Sequence, residues 1–506
     1  MHWAVAWTRA ALGLVGAGAV ALALVSGGSS ADPRTPAGLP GLPAPFLGTA
    51  VVGSGGLTAA IDAYGDVVDL RAPGPAGRAL IDNPAERQAA GTVAVDTGIV
   101  PRVRIGGREL PLWRADRVRQ RYRPGTNVLV TEARFGDKRV EIVHAAHGGE
   151  LACLTRTSGP AVSVGFEEPA IRLRCDDGAA RRLVERAEAS DRRWLSRARA
   201  LGRAAPAWAR SLYRRSLLTL RALSDRRTGA AAAGARDGWA YVWPRDAGTA
   251  ALAFAAAGYR PEARRVARFL LGLDLDAAAR FHGDGAPVAG REAQGDAEGW
   301  TTVAARATSL PPPTPSLPWR NRPDYQERTP GTYLANAIAT SPHHVDGPQI
   351  RLYGGKTAHQ QEGGEIWEGF RAAGGLVRRS DDPSSGLDSA AAWAVRPFAQ
   401  PALFPAVRRT LLRLADRQTR FGITPGEDWP GVDPWSAPTA WSAWSLAALG
   451  ERRQALRLLG ALRRAATPAG ALPERVDLRT GVPTSTTPLA WSHAFAILAL
   501  RELWPG

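Results

Sequence analysis

The hydrophobic pattern of this chain changes period along its length. An uncharged run at residues 10–31, strongly apolar from 10 to 25, precedes a Pro- and Gly-rich stretch at about 33–45. From 46 to about 175, short alternating runs such as 57–62, 128–134 and 139–144 are separated by turn signals at Tyr64-Gly65-Asp66, Gly106-Gly107 and Gly136-Asp137-Lys138. Alternation with frequent turns predicts short antiparallel strands, hence a β-sandwich. From about Asp176 the period becomes helical, with apolar residues at helix spacing through 208–223, 247–257, 261–273, 402–414, 438–449 and 451–465. The run 251–258 followed by Arg260-Pro-Glu-Ala263 is echoed by 441–450 followed by Glu451-Arg-Arg-Gln-Ala455. In both, a Gly ends one helix just before the next begins, so helical hairpins repeat and predict an array or a ring. Between the helical blocks, about 309–385 is irregular, with a Pro-rich segment at 311–318 and three Gly pairs. A loop region of that length in a compact domain is more often functional than not.

Composition narrows the picture. At 506 residues the chain exceeds one ordinary core. The pattern divides it into an N-terminal leader or anchor at 1–31, a linker at 32–45, a β-sandwich at 46–175, a helical linker at 176–204 and a helical domain at 205–506. The apolar run is short for a bilayer span, and Ser29 and Ala31 suit leader cleavage, so an exported protein is expected. The alternative is an uncleaved N-terminal anchor, membrane attachment then resting on 10–31 alone. Cys153 and Cys175, the only cysteines, suit one disulfide or two buried thiols. The net charge of +17 comes from dispersed arginines, with Lys138 and Lys356 the only lysines. That dispersal describes a solvated surface and argues against nucleic-acid binding.

The densest chemistry lies in Trp239-Ala-Tyr-Val-Trp-Pro-Arg-Asp-Ala-Gly248, where three aromatic rings precede Arg245 and Asp246 at a helix start. Aromatic faces stack on sugar C–H faces, and a guanidinium beside a carboxylate offers donors and acceptors to hydroxyls. A structural Arg–Asp pair at a helix start fits the same ten residues. Near the C-terminus, Glu474 sits in a turn and Trp491 and His493 open a last helix. A carboxylate among aromatic rings suits a general base, and a solvent-exposed Glu fits equally. His343, His344 and His359 lie near Asp346, but their spacing fits no common zinc pattern.

Five motifs in order carry a resemblance: Trp243-Pro-Arg-Asp246, Gln294-x-Asp296-x-x-Gly299-Trp300, Pro323-Asp-Tyr-Gln-Glu327-Arg328, Gly422-Ile-Thr-Pro-Gly-Glu-Asp-Trp429 with Pro434-Trp435, and Leu472-Pro-Glu474 through Trp491-Ser-His493. Together they resemble glycoside hydrolase family 15, the glucoamylase-like α-glucosidases, in the bacterial form with an N-terminal β-sandwich. The resemblance implies a sandwich followed by an (α/α)6 barrel whose loops form a pocket for the non-reducing end of an α-glucan or small α-glucoside. It implies that Arg245 and Asp246 hold the terminal glucose, and that Trp243, Trp300, Trp429 and Trp435 are pocket walls. Glu427, Trp491 and His493 are further substrate-contact candidates. Glu474 matches the catalytic base, and Glu327 takes the place of the general acid, although Gln326 stands where the family carries Trp. Glu368, in Glu365-Ile-Trp367-Glu368, and Glu427 are alternative acids. No organic cofactor and no metal are expected. A relative that binds carbohydrate without turnover is the alternative function. Linkage preference, calcium binding and oligomeric state stay open.

Overall fold

The computed structural model describes residues 38–82, 98–167, 173–236, 239–290, 293, 296–313, 377–379, 382–399, 401–427, 429 and 431–506. The apolar run at 10–31, Glu327, Glu368, His343, His344, His359 and most of the irregular 309–385 region lie outside the described residues.

Strands β1 (Gly48–Gly53), β2 (Thr58–Asp62), β3 (Val67–Ala72) and β4 (Arg78–Asp82) form an antiparallel meander. Strands β5 (Val100–Ile105) and β6 (Arg108–Pro111) form a hairpin. Its turn is Gly106-Gly107, with φ of 57° and 78°, and two successive positive φ angles are what a tight hairpin turn requires. Strands β7 (Arg117–Tyr122), β8 (Leu129–Phe135), β9 (Lys138–His147) and β10 (Glu150–Thr157) follow in antiparallel succession. Strand β11 (Val162–Glu167) pairs with β5, and β12 (Leu173–Cys175) adds to β10 in parallel. The register sets Cys153 opposite Cys175, and the two form a disulfide.

The meander packs face to face on the β7–β10 sheet: Ala50, Val52, Ile61 and Leu70 share a cluster with Leu129, Ala146 and Leu151. The other face of that sheet is covered by helix α1 (Gly178–Leu195), whose Ala180, Leu183, Val184 and Ala187 meet Val130, Val143 and Ala152. The segment read as a helical linker is therefore largely a lid on the sheet. Strands β1 and β2 are buried along their whole length because their second face meets the helical part. Thr58 Oγ1 donates to Ala222 O at 3.0 Å, and the fully buried Arg236 donates through Nη1 to Phe46 O.

The helices alternate in character. Helices α4 (Arg260–Leu271), α6 (Phe404–Asp416) and α8 (Arg452–Ala465) bury one stripe and expose arginines on the other side, and α2 (Ala207–Ala222) buries one stripe and turns Arg215 and Arg221 toward the sandwich and α1. Helices α3 (Pro244–Ala256), α5 (Ala297–Ala307), α7 (Ser436–Ala448) and α9 (Ala490–Leu503) are apolar nearly all round. Eleven of the 13 residues of α7 are buried against four of the 12 in α4, so the first is an inner helix and the second an outer one. A 3-10 segment, Ser389–Ala394, is a fifth inner element. Contacts run α5 to α3, α3 to α9, α9 to α7, and α7 to that segment. The centre is closed by rings: Trp300 meets Trp393 at 5.2 Å, Phe398 at 5.0 Å and Phe495 at 6.3 Å, and Trp393 meets Trp441 at 5.4 Å. The fold class read from the sequence, an antiparallel β-sandwich followed by an (α/α)6 barrel, agrees with this sheet region and the alternating inner and outer helices after it; the described residues supply four outer helices, four inner helices and the inner 3-10 segment.

Candidate active site at the starts of the inner helices

The loops that precede the inner elements are stitched to one another. Ala490 N donates to Ala233 O at 2.7 Å, Val242 N to Phe281 O at 2.8 Å, Ser389 N to Pro425 O at 2.9 Å and Ser436 N to Glu474 O at 2.9 Å. This gathers the first turns of α3, α5, the 3-10 segment, α7 and α9 at one end. Helix starts present unsatisfied amides and a positive dipole end, which favour nearby negative charge.

Helix α3 begins with Trp243 in extended conformation and Pro244 at its first position, where the missing N–H costs nothing. Asp246 then falls in the first turn and is buried. Its carboxyl is raised to about 7, chiefly by burial, with Arg245 pulling it down and Glu474 and Asp296 pushing it up. Arg245 Nη1 meets Asp296 Oδ2 at 3.0 Å, and its guanidinium lies 4.6 Å from the Trp491 ring centroid. The Trp491 ring leans on Trp441 at 4.8 Å. Asp296 precedes α5 without capping it, so its carboxylate serves Arg245 instead.

Glu474 is half-buried on a loop held from several sides. Its N–H donates to Thr486 O at 2.9 Å, and Ser485 Oγ donates to its carboxylate. Leu489 N donates to Leu472 O at 2.9 Å, and Ser492 Oγ to Pro473 O at 3.3 Å. Trp435, which precedes α7, bridges to Arg475 and meets Trp429 edge-on at 5.4 Å, both rings half-buried.

The structure thus brings Arg245, Asp246, Glu474 and Trp491 together, with Trp429 and Trp435 beside the Glu474 loop. Trp243 is almost covered at the rim, packed with Ala233 and Ala279 against Trp239 and Tyr241. Three candidates are placed differently. Trp300 is fully buried among Trp393, Phe398 and Phe495, so it is floor packing and offers no face for a sugar. The Glu427 carboxylate is taken by Arg413 at 2.7 Å, Arg417 at 2.9 Å and the Leu387 N–H at 3.0 Å, a loop tie rather than a substrate contact. His493 is fully buried and bonded to Leu472 N and Ser216, which removes it from any ligand. Sequence reasoning passed over Asp296 as a site residue. Its signal was an Asp at the start of an apolar helical run, within the Gln294-x-Asp296 motif. Among the described residues, no group of three His, Cys, Asp or Glu side chains could hold a metal ion.

A sandwich joined to alternating inner and outer helices, with charged and aromatic side chains gathered where the inner ones start, is a glucoamylase-like architecture. A crystal structure of a bacterial glucoamylase complexed with acarbose matches it with a TM-score of 0.65 at 12% identity, over 90% of this chain and 94% of that one. The model of the family "Glycosyl hydrolases family 15" matches residues 207–275, the stretch from α2 to just past α4 that contains Arg245 and Asp246. The family resemblance read from the motifs is borne out there. A wild-type glycosidase structure matches at 22% identity with a TM-score of 0.46, over 62% of this chain and 98% of its own. A glucoamylase from Saccharomycopsis fibuligera matches at 14% identity with a TM-score of 0.43, over 58% of this chain and 94% of its own. No curated protein matches the sequence.

Proposed function

We propose that the protein is an exported glycosidase that releases glucose, with inversion, from the non-reducing end of an α-glucan or small α-glucoside. The observation that carries this reading is the Glu474 carboxylate, fixed by Ser485 on a tied loop within electrostatic reach of Asp246, itself next to Arg245. Hydrolysis with inversion needs one carboxyl to protonate the leaving oxygen as the C–O bond breaks. A second carboxylate takes a proton from the water that attacks the opposite face of the sugar, and the two stand about 6.5–9.5 Å apart to admit that water. Glu474 has the support a base needs to hold its angle to the water. Glu327, outside the described residues, takes the acid's part, with Glu368 the alternative; Glu427 is engaged by two arginines and does not suit it. Arg245 and Asp246 hold the terminal glucose, and Trp491, Trp429 and Trp435 supply apolar surface. Export is supported by the Cys153–Cys175 disulfide, which persists in oxidising compartments.

The test is glucose release from maltose, isomaltose, trehalose, starch and dextran by the full chain and by Glu474→Gln, with the product anomer followed by NMR. β-Glucose from the parent and at least a ~1,000-fold loss in the variant are expected. Glucose or maltose binding with no turnover on any substrate would instead establish a carbohydrate-binding protein.

A further inference from the structure

Below the Glu474 loop runs a continuous chain of contacts into the β-sandwich. His493, on the first turn of α9, accepts a hydrogen bond at Nε2 from the Leu472 N–H at 2.9 Å. That fixes its tautomer: Nδ1 carries the proton and faces Ser216 Oγ at 2.9 Å. Burial, with Arg215 nearby, pushes the imidazole well below its usual range, so it stays neutral and Nε2 stays an acceptor. Beside Ser216 on α2, Arg215 reaches the other way. Its Nη1 donates to Thr126 O at 3.0 Å, Nη2 donates to Asn127 Oδ1, and the guanidinium lies 3.8 Å from the Tyr122 ring centroid. Asn127 is itself pinned, donating through Nδ2 to Gly53 O at 3.0 Å and Leu218 O at 2.9 Å. Tyr122 Oη both donates to Val51 O at 2.7 Å and accepts from Val51 N at 2.9 Å.

A second contact points the same way. Ala469, five residues before Glu474, packs in the cluster formed by Ala50, Val52, Leu57 and Ile61 of the sandwich. Gly470 follows with φ of +84°, and a Cβ there would stand 3.3 Å from Arg215 Cγ. The loop thus has its foot in the sandwich core, a glycine lying on Arg215, and Leu472 hung from His493.

We infer that His493, Ser216 and Arg215 are positioning residues for Glu474, and that the sandwich, through Tyr122, Thr126 and Asn127, sets where that carboxylate stands. This rests on the reading of Glu474 as the base. Arg245 and Asp246 sit on α3, outside this chain of contacts, so moving the Glu474 loop spoils attack by water and spares glucose binding.

The experiment uses the full-length protein and measures kcat and KM on the best substrate, glucose affinity by calorimetry and the melting temperature, for His493→Leu, His493→Gln, Ser216→Ala, Arg215→Met and Glu474→Gln. Misplacing a reacting group by about 1 Å costs about 100-fold, so His493→Leu is expected to lose about that in kcat with KM and glucose affinity within about twofold. His493→Gln, whose amide oxygen can accept from Leu472 N–H, is expected to recover about tenfold of that loss. Arg215→Met lowers kcat with the same selectivity, and Ser216→Ala lowers it several-fold. A His493→Leu protein with kcat within about threefold of the parent, a loss falling on KM, or no recovery in His493→Gln overturns the inference. If His493→Leu does not fold, Ser216→Ala decides: parental kcat overturns the inference, and a fall at unchanged KM supports it. An inactive Glu474→Gln beside an active His493→Leu defeats this inference alone. A fully active Glu474→Gln defeats the reading of Glu474 itself.

Discussion

Asp246→Asn separates what a site residue costs the fold from what it gives to binding. The Asp246 carboxyl stands at about 7 in the folded protein against 3.8 unperturbed, chiefly through burial. The folded state therefore holds the proton more tightly than the unfolded chain does. Stability linked to this proton is fully present below about pH 3.8 and is lost as pH rises through about 7. At about 1.4 kcal/mol per pH unit the loss reaches about 4 kcal/mol in all, of which about 3 kcal/mol falls between pH 5 and pH 8.5. Asparagine cannot ionise, so the variant avoids that loss, and Arg245 is not stranded because Asp296 remains 3.0 Å away. Melting temperatures at pH 5 and pH 8.5 measure the difference. For a chain of this size about 1 kcal/mol corresponds to about 1 °C, so the variant should gain about 3 °C on the parent between the two pH values. Glucose affinity at pH 8.5, where the carboxylate is ionised, should meanwhile fall about 10- to 100-fold with the loss of a charged hydrogen-bond acceptor, and at pH 5, where the parent carboxyl is neutral, the fall should be smaller. A temperature offset that is the same at both pH values, or that shrinks at pH 8.5, would refute the assignment of a burial-raised carboxyl.

Other expectations follow from single contacts. A Cβ on Gly248 would stand 2.9 Å from Trp300 O, so Gly248→Ala should force α3 off α5 and cost about 1–3 kcal/mol, read as a lower denaturation midpoint. Replacing Cys153 and Cys175 together by Ser opens a loop with a sequence separation of 22 and should cost about 3 kcal/mol, with glucose release unchanged below the new melting point. Glu427→Gln leaves Arg413 and Arg417 without their shared carboxylate and should lower the melting temperature while leaving the product anomer as in the parent. The loss should shrink in high salt, which screens the half-exposed ion pairs.

Much of this was legible in the residues because local rules and packing agree. The alternating run at 139–144 falls within β9, and the helical runs at 247–257 and 451–465 fall on α3 and α8 to within a few residues. The two Gly-ended echoes are the α3–α4 and α7–α8 hairpins, with Gly258 and Gly450 at positive φ. Identity of a polar residue, in contrast, does not say which neighbour claims it. Trp300, Glu427 and His493 are the residue types a sugar site uses, and only tertiary contacts show that the first is floor, the second a tie between loops and the third a support for Leu472. Whether Cys153 meets Cys175 depended on the parallel pairing of β12 with β10, which no local signal announces.

The aromatic floor has a consequence for traffic. Trp300, Trp393, Trp441 and Phe495 pack edge to face behind Arg245 and Trp491 and fill the space between the described inner elements there. For the reaction proposed above, a floor filled in this way would send a released glucose out by the mouth through which the glucan entered, after the shortened chain withdraws. On that reading the site would work as a cul-de-sac: one glucose per encounter, no threading along a polymer, and accumulated glucose competing with the next chain end for the same place.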